Sequence, residues 1–423
     1  MDYRITPGAA LAGEIGVPGS KSHTIRAVVA GLLGRQWSEI RAPLLSEDTR
    51  SALNAARALG AETELSDGLW RIRGCGGEFS AAAKRIDMGN SGTSLRIMTA
   101  AAALGAAEVT FDGDASLRTR IMRGELDALT ALGARTRDTG GFAPLTVAGP
   151  LTGGRARVDG TTSQYLSALL MALPLARRDS TLELDFLNEA DYVRITLDWL
   201  ARCGIAVRAR EDLLRFEIPG GQRYRAFSRV IPADFSTAAF PLGAGAIAGK
   251  EVRIANLDFT DLQGDKRVFD FVREMGGDLR TEGGDVVVRR SELRGGTFDL
   301  NATPDALPLM AVLGCFAAGE TRLVNVPQAR LKETDRIACM TCELRKMGAK
   351  IEELPDGMVI HGVGRLRGAD VQSHADHRIA MALTVAALGA DGETVIRDGG
   401  ACGVTYPGFA ADFRRLGARI AEF

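Results

Sequence analysis

Apolar residues step by three or four along six stretches of this chain, and each stretch closes on a glycine followed by an alternating segment. Leu53, Ala56 and Leu59 precede Gly60, Leu126, Leu129 and Leu132 precede Gly133, and Leu197, Leu200 and Cys203 precede Gly204. Phe269, Val272 and Met275 precede Gly276, Leu344 and Met347 precede Gly348, and Phe409, Phe413 and Leu416 precede Gly417. Such spacing puts the apolar side chains on one face of a helix. Glycine then ends the helix in the left-handed conformation, which costs it no Cβ clash. The segment after each glycine, as in Ala134-Arg-Thr-Arg or Ala349-Lys-Ile-Glu, alternates like a half-buried strand. The glycines lie about 70 residues apart, so the pattern predicts an α/β (α+β) architecture of six repeated helix-to-strand units.

A chain of 423 residues exceeds one ordinary core, and six equal units favour two domains of three. The polar, turn-rich segment Pro219-Gly-Gly-Gln-Arg-Tyr-Arg is the best boundary, which gives halves of roughly 1–227 and 228–423. Lys and Arg total 52 against 53 Asp and Glu. With no field of one sign to gather nucleic acid or an acidic membrane, a small substrate is the better fit. The opening MDYRITPG has no basic start or long apolar core, and the longest apolar stretches, Ala27 to Gly34 and Ile379 to Ala390, fall short of the roughly 20 residues of a membrane span. The chain therefore reads as soluble and cytoplasmic. Six cysteines are too sparse for a disulfide framework. Cys339 and Cys342 fall within a predicted helix from Asp335 to Lys346, with no second pair to complete a zinc site.

Four segments of the first half suit an anion. Pro18-Gly-Ser-Lys-Ser-His-Thr-Ile-Arg26 offers glycine for close approach, hydroxyls at a helix start, Lys21 and, one turn later, Arg26, although it lacks the Walker spacing and could be a plain helix cap. Asp87-Met-Gly-Asn-Ser-Gly-Thr-Ser-Leu-Arg96 repeats the design, Asp114-Ala-Ser-Leu-Arg-Thr-Arg120 adds guanidinium groups, and Thr161-Thr-Ser-Gln164 adds hydroxyl and amide groups before an apolar helix. The second half supplies acids. Pro304-Asp305 opens an apolar helix expected over Ala306 to Phe316, where the aspartate could equally be a cap. Lys332-Glu-Thr-Asp-Arg336 and Asp376-His-Arg378 pack opposite charges together, as a solvated helix face also would. His374-Ala-Asp-His377 imitates a metal site without an evident third ligand, and Gly243-Ala-Gly-Ala-Ile-Ala-Gly249 imitates a dinucleotide fingerprint but lies in a helical run.

Taken in order, these motifs resemble the enolpyruvyl transferase family nearly end to end. The resemblance rests on Gly19-Ser-Lys-Ser with Arg26, Asn90-Ser-Gly-Thr93 with Arg96, Arg120, Ser163-Gln164, Asp234 with Ser236, Pro304-Asp305, Lys332-Glu-Thr-Asp-Arg336, Asp376-His-Arg378 and Thr405-Tyr-Pro407. It implies a two-domain, inverse α/β barrel-like fold of six βαβαββ repeats, three per domain, with the N-terminal strand in the second domain. The first domain would span 18–227, and the second 1–17 with 228–423. It also implies transfer of the enolpyruvyl group of phosphoenolpyruvate to the 5-hydroxyl of shikimate 3-phosphate, by a monomer without metal or other cofactor.

By the same resemblance, Lys21, Ser22, Arg26, Thr162, Ser163, Gln164, Asp305 and Lys332 would bind shikimate 3-phosphate. Lys21, Asn90, Gly92, Arg120, Gln164, Arg336 and Arg378 would bind phosphoenolpyruvate, in a site that glyphosate also occupies in this family. Asp305 would take the proton of the attacking hydroxyl, and Glu333 with Lys21 would move protons at the methylene carbon and the leaving phosphate. Burial would have to hold Glu333 partly protonated for it to donate. Three positions depart from the family pattern: Ile121 replaces a proline, Val404 a lysine, and Glu189-Ala-Asp-Tyr192 a Ser-Lys-Pro-Tyr stretch whose serine helps hold the substrate phosphate. The related transferase acting on UDP-N-acetylglucosamine would carry a cysteine ahead of the position of Arg120 and an asparagine in place of Ser22. A non-catalytic paralogue would lose an acid, whereas Asp305 and Glu333 are both present.

Overall fold

The computed structural model describes residues 1–79 and 85–423. Its described helices are α1 (Lys21–Leu33), α2 (Glu47–Ala58), α3 (Gly92–Ala102), α4 (Arg123–Ala131), α5 (Ser163–Ala172) and α6 (Ala190–Arg202), then α7 (Phe235–Ala248), α8 (Arg267–Glu274), α9 (Leu307–Phe316), α10 (Arg336–Lys346), α11 (His377–Leu388) and α12 (Phe409–Arg415). They alternate between two kinds. The even-numbered helices are those with the periodic apolar stripe; α8, for example, buries Val268, Phe269, Phe271 and Val272 and leaves its other face wet. The odd-numbered helices are apolar on nearly every side, and all of α11 is buried. The apolar stretches at Ala27 and Ile379 belong to these inner helices, and no described helix is long and apolar enough to cross a membrane.

Each even helix ends at one of the six glycines. Their φ angles are +104° at Gly60, +99° at Gly133, +74° at Gly204, +88° at Gly276, +91° at Gly348 and +101° at Gly417, all in the region that side-chain-bearing residues avoid. A hairpin comes next in five of the repeats, as Arg135–Thr139 with Phe142–Ala148 or Lys350–Leu354 with Gly357–His361, while in the sixth Arg419–Glu422 pairs with Tyr3–Thr6. The hairpin joins two parallel strands linked across an odd helix, such as Arg85–Asp87 and Val109–Asp112 on either side of α3. Among the described residues six sheets of four strands result, each a βαβαββ unit.

The chain divides into two compact units, residues 19–232 and residues 1–18 with 233–423. Tyr3–Thr6 pairs with Thr394–Arg397 and Arg419–Glu422, and Leu11–Gly16 pairs with Gly249–Ala255, so the N-terminal strands complete the sheets of the second unit. Residues 228–232, placed with the second half on composition, go instead with the first. Their strand Ser228–Val230 pairs in parallel with Ser38–Arg41 and supplies the missing member of the first repeat. Each unit has its own apolar core. In one, α1, α3 and α5 pack together at the centre; in the other, α7, α9 and α11 do. Close packing explains the glycines of α7: a Cβ on Gly243 would stand 2.5 Å from Leu309 Cδ1 of α9.

The left-handed glycines carry a testable cost. At Gly348 the space beside the missing Cβ is open, the nearest atom being Arg367 Cδ at 4.0 Å, so Gly348→Ala isolates backbone strain from crowding. Denaturant titration should show a loss of about 1–2 kcal/mol, and Gly348→Asn should lose less.

Candidate active site

The charged residues of the inner helices lie in their first two turns. In the unit 19–232 those starts are the motif residues: Ser20 stands at the N-cap position of α1 without a side-chain capping bond, Ser91 caps α3 by accepting from Ser94 N, and Thr162 caps α5 by accepting from Gln164 N. Lys21 Nζ lies 3.1 Å from Asp48 Oδ2, a partner on α2 that no motif announced. A Cβ on Gly92 would stand 2.8 Å from Arg120 Nη1 and 3.1 Å from Arg96 Nη1, so two guanidinium groups close over the first turn of α3. Asn90 ties that loop together, donating to Asp114 Oδ2 at 2.7 Å and accepting from Arg120. Arg96 Nη1 donates to Gln164 Oε1 at 2.6 Å and so joins the starts of α3 and α5. Asn90, Gly92, Arg120 and Gln164, expected around one anion, therefore meet in one place, with Arg96 added.

Two residues behave in ways their motifs did not announce. Arg26 is buried, with Nε donating to Thr196 Oγ1 at 2.8 Å, Nη1 to Ser22 O at 3.0 Å, and Nη2 to Tyr192 O at 3.1 Å and Ser167 Oγ at 3.3 Å. Burial pushes its pKa down to about 10, against the pull of Tyr192. Expected to face a substrate carboxylate, it ties α1 to α6 and α5 in this structure. Glu189, with φ +58°, accepts from Ser163 Oγ at 2.8 Å, Ser163 N at 3.3 Å and Thr162 Oγ1 at 3.4 Å. A carboxylate of the chain itself thus sits at the start of α5, where a negative group is electrostatically favoured. Arg194 donates to Asp191 at 2.7 Å.

In the other unit the acids gather on Arg336, which is 1% exposed. Its Nη1 donates to Asp305 Oδ1 at 2.7 Å, Nη2 to Glu333 Oε2 at 2.6 Å and Nε to Asp376 Oδ2 at 2.8 Å. Burial works against the Arg336 charge, but Asp376, Glu333 and Asp305 outweigh it and raise the guanidinium pKa above the ordinary arginine value. Asp305 lies in a short 3-10 turn, Pro304–Ala306, that leads into α9, so the helix expected from Ala306 starts one residue later as α9. Its carboxylate also meets Arg378 Nη2 at 3.1 Å and Lys332 Nζ at 4.0 Å. Arg378 Nη1 donates to Ser236 O at 3.3 Å, which links the starts of α11 and α7. Asp376 caps α11 by accepting from Arg378 N at 2.8 Å. In Lys332-Glu-Thr-Asp-Arg336 the two acids divide their work: Glu333 turns to Arg336, while Asp335 caps α10 and meets Arg330 at 2.6 Å. His374 pairs with Glu343 at 2.9 Å, and no three His, Cys, Asp or Glu among the described residues are grouped to hold a metal.

Six such units with charged helix starts are the architecture of enolpyruvyl transferases. The crystal structure of the enolpyruvyl transferase NikO from Streptomyces tendae matches the fold with a TM-score of 0.80 at 18% identity, over 99% of this chain and 98% of that one. An EPSP synthase structure from Acinetobacter baumannii matches with a TM-score of 0.83 at 27% identity over 100% of both chains. Residues 5–413 match EPSP synthase (3-phosphoshikimate 1-carboxyvinyltransferase), and the chain belongs to that family. Proteins named 3-phosphoshikimate 1-carboxyvinyltransferase from Ruminiclostridium cellulolyticum and Acetivibrio thermocellus are 45% and 47% identical, each over 97% of both chains.

The Arg336 cluster predicts a stability effect. Asp376→Asn keeps the shape and the cap but leaves buried Arg336 short of one counter-charge, so urea unfolding should show a loss of about 3–5 kcal/mol. An unchanged midpoint would mean that Asp305 and Glu333 suffice to hold the cation.

Proposed function

We infer that the protein transfers the enolpyruvyl group of phosphoenolpyruvate to the 5-hydroxyl of shikimate 3-phosphate, giving 5-enolpyruvylshikimate 3-phosphate and phosphate. Besides membership of the family, the observation that carries this reading is the clustering of Asp305, Glu333, Arg336 and Arg378 at the starts of α9, α10 and α11. On this reading, Gly92, Arg120, Lys21, Asn90 and Gln164 receive the phosphoenolpyruvate phosphate and its surroundings, and Arg336 and Arg378 its carboxylate. Ser22, Arg26, Thr162, Ser163, Gln164 and Lys332 hold shikimate 3-phosphate. The protein works as a cytoplasmic monomer on small substrates, with no metal or other cofactor and with no nucleic acid or membrane.

The reaction balances without a redox partner. The hydroxyl oxygen bonds to C2 of phosphoenolpyruvate and loses its proton to Asp305, while C3 gains a proton from Glu333 or Lys21. The tetrahedral adduct then breaks its C2–O bond to phosphate, and C3 returns a proton as the double bond reforms. A substrate carboxylate arriving at Arg336 and Arg378 competes with the Asp305 and Glu333 carboxylates for the same donors. Its binding would therefore turn those acids from structural partners of Arg336 into proton carriers. Glu189 at the start of α5 is the feature least suited to a phosphate dianion, and accommodation of the substrate there requires that carboxylate to move away from Ser163.

Phosphate release on mixing phosphoenolpyruvate with shikimate 3-phosphate tests the reading. Release with UDP-N-acetylglucosamine as acceptor instead would transfer the chain to the related activity, and release with neither would reject both. Glu333→Gln should lower kcat by roughly 10² to 10⁴ with KM little changed, because a proton carrier is removed and its shape kept. Near-normal turnover would confine Glu333 to its ion pair with Arg336. A methyl at position 92 would crowd Arg120 and Arg96, so Gly92→Ala should raise the inhibition constant of glyphosate more than the KM of phosphoenolpyruvate. Equal effects would place the two molecules differently over α3.

A further inference from the structure

Glu125, in the first turn of α4, has no part in the chemistry described above, and it is fully buried. Neither carboxyl oxygen has a hydrogen-bond partner. A buried carboxylate in that condition is among the costliest states a side chain can adopt, and a proton removes most of the cost. The charge closest in effect is Arg96 of α3, whose Nε is also buried without a hydrogen-bond partner. Arg96 spends its other nitrogens elsewhere: Nη1 on Gln164 Oε1 at 2.6 Å and Nη2 on Ile121 O at 3.3 Å. Its guanidinium carbon lies 5.4 Å from the centre of the Tyr165 ring, and Tyr165 donates to the same Ile121 carbonyl at 2.6 Å. Arg96 is thus the cation that both Glu125 and the space over Gly92 experience, since its Nη1 lies 3.1 Å from where a Cβ of Gly92 would be.

We propose that Glu125 is a positioning residue carried as a neutral carboxylic acid, and that its proton keeps the Arg96 charge available to the anionic substrate received over Gly92. The inference rests on the reading that Gly92, Arg120 and Gln164 receive phosphoenolpyruvate. If Glu125 ionises, its charge neutralises Arg96 from behind, and the substrate anion loses one of two guanidinium partners. Burial raises the Glu125 pKa well above that of an ordinary glutamate, with Arg96 pulling the other way. Substrate affinity is therefore full below that pKa and falls as pH rises through it. The other groups around α4 do not supply this charge. Tyr165 of α5 holds its proton to higher pH than usual because it is buried. Asp159 meets the α4 start at Gly124, Asp138 is bound by Arg123 at 2.9 Å, and Arg135, Arg155 and Arg157 are exposed.

The test is the pH dependence of KM for phosphoenolpyruvate between pH 7 and pH 9.5, each protein being compared with its own value at pH 7. In the wild type KM should rise, relative to Glu125→Gln, by roughly tenfold, the size of an ordinary coupling between two sites. Glu125→Met, which has no amide to bury, should behave like Glu125→Gln. Calorimetry of phosphoenolpyruvate and shikimate 3-phosphate binding to the wild type at pH 9, in two buffers of different ionisation heat, should show proton uptake that the variants lack. Superimposable KM profiles in a folded variant overturn the assignment. Should neither variant fold, absence of proton uptake by the wild type overturns it instead. Absence of enolpyruvyl transfer at every pH is a different failure, that of the underlying reading of the site.

Discussion

A helix that is apolar on every side can offer polar chemistry only at its ends, and this protein is organised by that restriction. The six inner helices bury their flanks against one another and against the sheets, so it is at the first turn that their backbone N–H groups lack an intrahelical partner. Placing Lys21, Gly92, Ser163, Asp305 and Arg378 at or beside those starts puts charge where the backbone already favours anions or asks for a cap. Starts then reach one another within a unit, as Arg96 links α3 to α5, and as Arg378 of α11 reaches Asp305 before α9 and Ser236 O of α7. The site is therefore a product of how the cores are filled.

Burying so many charges demands pairing, and the two units do it differently. Arg336 is held by three carboxylates and Arg26 by hydroxyls and carbonyls alone. Their pKa values move in opposite directions for that reason, upward where acids surround the guanidinium and downward where only neutral dipoles do. Any one of the acids around Arg336 can exchange for another carboxylate at little electrostatic cost, because one anion replaces another. The neutral groups around Arg26 have no such equivalent, and through them Arg26 ties α1 to α5 and α6.

Periodicity along the chain is enough to find the repeat, because a left-handed glycine after an amphipathic stripe is a local requirement. All six glycines have the positive φ that this implies. Helix starts are legible for the same reason, since caps lie within a turn of what they cap. What spacing cannot convey is which side chain a charge meets across the fold. Arg96 and Gln164, 68 residues apart, come together only because α3 and α5 pack. Asp48 beneath Lys21, Glu189 at the start of α5 and Glu125 behind Arg96 share this origin. The boundary at residue 232 is displaced from its compositional estimate by a strand that pairs with a partner far earlier in the chain.

The strands Tyr3–Thr6 and Leu11–Gly16 also set an order of events during synthesis. Residues 19–232 contain every strand of their own three sheets, so that unit can close as soon as residue 232 is available. Tyr3–Thr6 and Leu11–Gly16 cannot, because their partners Arg419–Glu422 and Gly249–Ala255 are made only after that unit. Until those partners are made the two strands must wait as exposed edges, Leu11 and Ile15 until Gly249–Ala255 and Ile5 until Thr394–Arg397. Strands made before residues 19–232 are thus protected only after them, and a growing chain of this kind depends on keeping those strands from pairing elsewhere in the meantime.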